Sequence, residues 1–589
     1  MKKFSIMILS LVMLLTITGC QGKSSEEVQK EFDTFIEQEF IDAMESDYMT
    51  MHVFLENPEN YGIDISKVKV GIGSYLDEAS QKEAIEEEKV FYDKLKEFDR
   101  SKLTATQQDI YDICEYEYSI NEKLNDEKFA YYQPVFQSMT GIHYQIPTLL
   151  ADWELRNEQD VKDLITLVKD IKPYMQSAIE YTKKQEEKGL LMIDLDSVMD
   201  YCKGIIDKGS QSSILTSMNK SIEGLSLDKT KTENYKKQLK EAFTSSFLSA
   251  YQDIYDTMNK FKKSGKNNTE GLAQFEYGKE YYELILQQHI GSLKTADEIK
   301  EMMEGKYKEH LKTLQNVVIK NADKMEPLIT NDLPTTQYKN YKEILDNNKE
   351  KIKNNFPEVN NLDYEIRDIN KEIASDSGVS AYFNIPPLDG KSAKQLRVNP
   401  KGNSANTIST YSTVSHEGFP GHMYQYAYMY ENVESNYIKA LANVTAYTEG
   451  YAVYAQYESF QYLNEIDEAL LEAYKENELA SYGAIIVADV GIHYEGWSLE
   501  DFNSYLTLKG FSLDEDSLEE QYRQLQANPA AFEPYYVGYE EIANIKEDAK
   551  TQLGEKFSEK EFNKALLESG TATFDVVQRH VNDYISQTK

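Results

Sequence analysis

Ser415-His416-Glu417-Gly418-Phe419-Pro420-Gly421-His422-Met423-Tyr424 puts two imidazoles and a carboxylate within seven residues. That set of side chains can hold a divalent ion and keep a general base beside it. Two metal-binding histidines on a regular helix usually stand at i and i+4, on one face. Here the second stands at i+6, which an unbroken helix would turn about 120° away from the first. The spacing therefore predicts a bulge at Pro420-Gly421, where proline removes an intrahelical hydrogen bond and glycine accepts irregular backbone. Glu417 is then the expected base, with His416 and His422 as ligands.

A catalytic ion needs a third protein ligand and an open position. Downstream, Ala446-Tyr447-Thr448-Glu449-Gly450-Tyr451 sets a carboxylate among small and aromatic residues on another helical segment. A charge there is costly unless paired or metal-bound, so Glu449 is the expected third ligand. Glu431 and Glu458 are expected on solvated faces. Asp489 and His493 lie one helical turn apart. Such a pair can present an imidazole to a developing oxyanion, or Asp489 can orient a ligand histidine, although structural pairs of this kind are commoner.

Most of the chain reads as helix. Val28, Phe32, Phe35, Ile36 and Phe40 follow one buried stripe, and Val161, Leu164, Ile165, Val168 and Ile171 follow another after Asn157 as N-cap. Pro173 is expected to kink that second helix, and one helix is expected over Glu559–Ile585. The period changes to a strand pattern at Tyr364–Ile369, Val379–Ile385 and Gln395–Asn399, predicting a small sheet just before the His-Glu stretch. Pro387 and Pro400 mark one strand as an edge, which either braces the helices or pairs with an extended peptide. The interruptions are short and polar. They predict a single mainly α domain over residues 28–589, with lobes dividing near residue 270.

The N-terminus stands apart. Lys2, Lys3 and the apolar run from Phe4 to Ile17 precede Thr18-Gly19-Cys20, the pattern of a secretory signal over residues 1–19. The stretch Leu15-Thr-Ile-Thr-Gly-Cys20 resembles a bacterial lipobox. That implies cleavage before Cys20, acylation of its thiol and a short polar tether over residues 20–27. The chain would then sit outside the cytoplasm, held to the cell membrane by lipid.

A net charge of −37 excludes nucleic acid and anionic lipid head groups as binding partners. Cys114 and Cys202 lie in a disulfide-permissive setting and suggest no thiolate cluster.

Taken together, His416-Glu417-Gly-Phe-Pro-Gly-His422, Thr448-Glu449-Gly-Tyr-Ala-Val-Tyr, Asp489-Val-Gly-Ile-His493 with Gly496-Trp497, and Pro529 with Tyr535-Tyr-Val-Gly538 resemble the successive motifs of the bacterial family known as domain of unknown function 885. Phe136–Leu150 and Tyr382–Asn399 are similar to it as well. Ile485 and Gln524 stand where the family pattern has arginine. The resemblance implies a gluzincin-like metallopeptidase: a large helical body with a cleft, one Zn2+ held by His416, His422 and Glu449, Glu417 as base, and His493 and Tyr535 as transition-state donors. Tyr536, next in the chain, is the alternative to Tyr535. The expected activity is zinc-dependent hydrolysis of small peptides. Two further readings stand beside it: a lipid-anchored protein that captures peptide or metal without catalysis, and a metal-dependent amidase of cell-wall peptides.

Overall fold

Apolar residues at helical spacing form α1 (Ser25–Ser46), which buries Val28, Phe32, Ile36, Phe40 and Met44. The computed structural model describes residues 23–376, 379–402 and 404–589. The expected signal segment and Cys20 lie outside these residues. Ser25–Glu27, expected at the end of a polar tether, form the first turn of α1. Ser24 and Glu27 cap one another there: Ser24 N donates to Glu27 Oε2 at 2.9 Å and Glu27 N to Ser24 Oγ at 3.3 Å.

The chain continues through α2 (Ala105–Leu124), α3 (Ile142–Asp152) and α4 (Glu158–Lys188). Asn157 caps α4, as its position predicts. Pro173 does not end α4. The Lys169 carbonyl, which a proline four residues on cannot bond, accepts instead from Ser246 Oγ at 2.9 Å. Next come α5 (Ala296–Lys320) and a small sheet of β1 (Tyr364–Asp368), β2 (Ala381–Asn384) and β3 (Lys394–Val398). The strand order is β1-β3-β2, with β1 parallel and β2 antiparallel to β3. The helices that build the site follow: α6 (Ile408–Glu417), α7 (His422–Asn432), α8 (Thr445–Glu458), α9 (Glu468–Val490) and α10 (Glu533–Leu553). The single helix expected over Glu559–Ile585 is two, Glu559–Glu568 and Phe574–Thr588. Gly570 between them takes φ +66°, a left-handed conformation that stops the first.

The cores do not divide near residue 270. Val28, Phe32, Phe91, Ile113 and Cys114 join the core beneath the site helices, with Tyr411, Val414, Met423 and Tyr451. Phe40, Met44 and residues as far as Phe261 form a second core around α4, which holds Cys202. A third joins Tyr116, Tyr282, Val487 and Val537. The early chain is thus shared out, and α1 passes from the first core into the second. Cys114 and Cys202 are both free and buried, in different cores. Among the described residues no helix is long and apolar enough to cross a membrane.

Candidate metal centre

The bulge expected within one helix is a complete break. Helix α6 stops at Glu417, the chain turns through a cis Phe419–Pro420 bond, and His422 opens α7. Gly421 makes the turn possible: its N–H donates to the Ser415 carbonyl at 2.9 Å, and a Cβ on it would lie 1.8 Å from the His416 carbonyl oxygen. Only glycine permits that approach. Asn348 Nδ2 donates to the Phe419 carbonyl at 2.9 Å and Tyr451 Oη to the Pro420 carbonyl at 3.1 Å, pinning the turn from two sides. As a result the first residue of α7 stands beside the last turn of α6, with the His416 and His422 rings 4.8 Å apart and nearly perpendicular.

Helix α8 delivers Glu449, and glycines set how near α10 comes to it. A Cβ on Gly450 would lie 2.3 Å from the Gly538 carbonyl carbon, so the two helices meet backbone to backbone. Tyr535, one turn before Gly538, is thereby brought over His416, its ring 6.3 Å away and roughly parallel. Tyr536 turns aside and stacks on Tyr482 at 3.5 Å, so of the two tyrosines it is Tyr535 that lies beside His416.

The structure brings His416, His422 and Glu449 together, one donor atom from each within 4.8 Å of the others. Glu449 Oε2 lies 3.4 Å from His416 Nε2 and 3.3 Å from His422 Nε2. Donors about 2.0–2.1 Å from a tetrahedral ion stand roughly 3.3 Å apart, so two of the three spacings match such an ion. The donor set, two imidazoles and one carboxylate, is one that zinc accepts. His422 Nδ1 faces Gln425 Oε1 at 3.3 Å, which leaves Nε2 directed at Glu449. Gln425 was not anticipated. Its only sequence signal is an amide three residues after a candidate ligand histidine, on the same helical face.

The charges support one another. Burial opposes the charge on Glu449, yet the His422 and His416 imidazoles hold it well below the usual carboxylate range. Burial likewise opposes protonation of His422, but Glu449 outweighs it and raises the imidazole to about 9. Glu417 stands outside the trio, its Oε1 4.0 Å from His416 Nε2. Its Oε2 accepts the Phe383 N–H at 2.8 Å, a bond from the edge strand β2 that sequence reasoning could not foresee. Burial, then the charges of Glu449 and Glu417, keep the Tyr535 phenol protonated.

His493 does not serve as the expected oxyanion donor. It is fully buried, its Nδ1 accepts from Leu272 N at 3.1 Å and its Nε2 donates to the Leu525 carbonyl at 3.0 Å. Both ring nitrogens are therefore committed to backbone. Nor does Asp489 orient a ligand histidine: its Oδ2 accepts from Tyr282 Oη at 2.7 Å and Ala530 N at 3.1 Å. The one-turn spacing was real, but the face it marks points into the third core. Glu431 accepts from the backbone of Asn360 and Asn361 on the surface, as expected of a solvated residue. Glu458 instead pairs with buried Lys546 at 2.9 Å.

The sequence profile of a family described as "Bacterial protein of unknown function (DUF885)" matches residues 68–581. No curated protein matches the chain. Among solved structures, one is similar with a TM-score of 0.81 at 17% identity, covering 96% of this chain and 100% of that one; it is the crystal structure of a protein from Colwellia psychrerythraea provisionally described as a lipoprotein. A second, from Shewanella oneidensis, provisionally described as a lipoprotein of unknown function, has a TM-score of 0.63 at 16% identity and covers 95% of this chain and 99% of that one. At such identities the likeness is one of fold. The profile match spans most of the chain, and on it the protein belongs to the DUF885 family.

Proposed function

We propose that the protein is a zinc-dependent hydrolase of peptide bonds. The observation that carries the reading is the convergence of His416, His422 and Glu449, with a separate carboxylate, Glu417, free of that trio and close beside it. A purely structural zinc site would use a fourth protein ligand and need no spare base. An ion bound by the trio would polarise a scissile carbonyl and make water more acidic.

The chain's own residues account for the rest. Glu417, positioned by the Phe383 N–H, takes a proton from the attacking water and returns it to the leaving amine. Tyr535, kept protonated by burial and by two nearby carboxylates, donates a hydrogen bond to the oxygen that gains charge. Gln425 holds His422 in one orientation. The edge strand β2, which bonds Glu417 at Phe383, offers an extended peptide a route past the base.

Metal analysis of the purified chain, joined to peptide cleavage with and without chelator, tests the proposal. Glu417→Gln is expected to keep its zinc and fold while losing hydrolysis. Full turnover by that variant would overturn the assignment of the base, and a chain that binds no metal would overturn the reading as a whole. Muropeptides cleaved in place of linear peptides would favour an amidase.

We also infer that the mature protein is acylated at Cys20 and anchored on the outer side of the cell membrane. The lipobox-like residues before Cys20 support this, as does the provisional description of both structural neighbours as lipoproteins. Cys20→Ala is expected to shift the protein from the detergent phase to the aqueous phase.

A further inference from the structure

Strand β2 has two faces with different surroundings. Ala381 and Phe383 point into the core beneath the site, while Tyr382 and Asn384 point the other way. On that second side lies a cavity of about 730 Å³. Ile142, Leu149 and Trp153 wall it from α3 and the residue after it, and Tyr382, Ile385 and Pro386 wall it from β2 and the segment beyond. None of His416, His422 or Glu449 lines it. Its link to them is the backbone of β2: Phe383 stands between Tyr382 and Asn384 of the cavity wall, and its N–H is bonded to Glu417.

The wall has little charge left to offer a ligand. Asp152 accepts from Tyr382 Oη and pairs with Arg397 Nη2 at 3.2 Å. Glu154 Oε1 accepts from Gln395 Nε2 at 2.9 Å. The two terminal nitrogens of Arg156 donate to the carbonyls of Leu55 and His52, at 2.9 and 2.7 Å. His52 stacks on Trp153 at 4.3 Å and is neutral near pH 7, pushed down to about 4 by burial and by the Arg156 charge. What remains for a ligand is mainly aliphatic and aromatic surface, with neutral polar groups such as Thr140, Gln145 and Asn384 set among it.

The geometry points to this cavity as the side-chain pocket of the proposed peptidase, selecting short peptides with large apolar residues on one side of the cleaved bond. This rests on the reading of the metal centre given above. Pockets of about 300–1,000 Å³ suit small ligands, and this one has room for large apolar side chains of a short peptide. An extended chain running along β2 past Glu417 would send alternate side chains to the Tyr382 face, where the cavity opens. The same strand then sets both the position of the base and the selectivity of the site.

The test measures binding apart from turnover. Calorimetry on the full chain after chelation compares a tripeptide of Phe and Leu with one of Ser and Gly, in the wild type and in Leu149→Glu. The apolar peptide is expected to bind at least about tenfold more tightly, since it alone buries a large apolar side chain. Leu149→Glu is expected to abolish the difference while leaving zinc content unchanged; should that variant not fold, Leu149→Ala is expected to weaken apolar binding alone. Equal affinity for both peptides would overturn the inference. So would preference surviving in the folded variants, or binding of dodecanoate in place of peptide. Turnover that ignores these substitutions would sink the pocket and leave the hydrolase reading intact. Apolar preference in a chain that binds no metal would do the reverse.

Discussion

A Cβ on Gly538 would lie 2.0 Å from the Ala446 carbonyl oxygen, so α10 rests on α8 with no side chain between them. That contact sets the height of Tyr535 above His416 and of α8, with Glu449, against its neighbour. Gly538→Ala is expected to force the helices apart and cost about 1–3 kcal/mol, read as a lower midpoint in urea. Gly421→Ala, where a Cβ would meet the His416 carbonyl oxygen at 1.8 Å, is expected to displace His422 and weaken zinc binding as well.

Gln425 touches no expected ion, yet it faces His422, a proposed ligand, at 3.3 Å. Loss of such an orienting partner typically costs about 10–100-fold in metal affinity. Gln425→Ala is therefore expected to weaken zinc by that factor in a chelator competition, with the melting temperature of the chelated protein almost unchanged.

Tyr535→Phe and His493→Leu should separate cleanly. The first removes a phenol beside His416 and is expected to lower kcat about 100–1,000-fold while zinc content holds. The second strips partners from Leu272 N and the Leu525 carbonyl in a fully buried place, at roughly 1–3 kcal/mol for each. It is expected to lower stability in urea, with kcat per folded molecule preserved.

His310 joins three helices: its Nδ1 meets Glu476 of α9 at 2.8 Å and its Nε2 meets Glu540 of α10 at 2.7 Å, from α5. Burial opposes its charge, but the two carboxylates raise it from 6.5 to about 9. Because the folded value is the higher, its contribution to stability is complete below about 6.5 and is lost as pH rises through about 9. The shift is worth at most about 3 kcal/mol. The stability gap between wild type and His310→Gln is expected to be widest at pH 6 and to close by pH 9.5, as measured by urea unfolding.

Local pattern made much of this legible. The helical stripe of α1, the Asn157 cap and the small sheet before the His-Glu stretch each follow from spacing within a few residues, and each is found where spacing predicts it. The grouping of His416, His422 and Glu449 was legible through residue type, since a lone carboxylate among aromatic residues demands a partner. Long-range relations were not. Proline and glycine announce an irregularity, but whether the helix bulges or stops depends on Asn348 and Tyr451, which lie far along the chain. The Phe383 bond to Glu417 and the Gly450 contact with Gly538 arise only once strands and helices are packed. Asp489 and His493 show the opposite limit: an i, i+4 pair looks the same whether its face meets a cleft or a core.

Helix α1 places Phe32 in the core under α6, α7 and α8 and Phe40, two turns on, in the core around α4. Melting one half by heat or denaturant while sparing the other would therefore break α1 partway along its length. The site and the remote helical layer are expected to fail together, in one cooperative step, and damage near the start of the chain should be felt as sharply at His416 as damage close by.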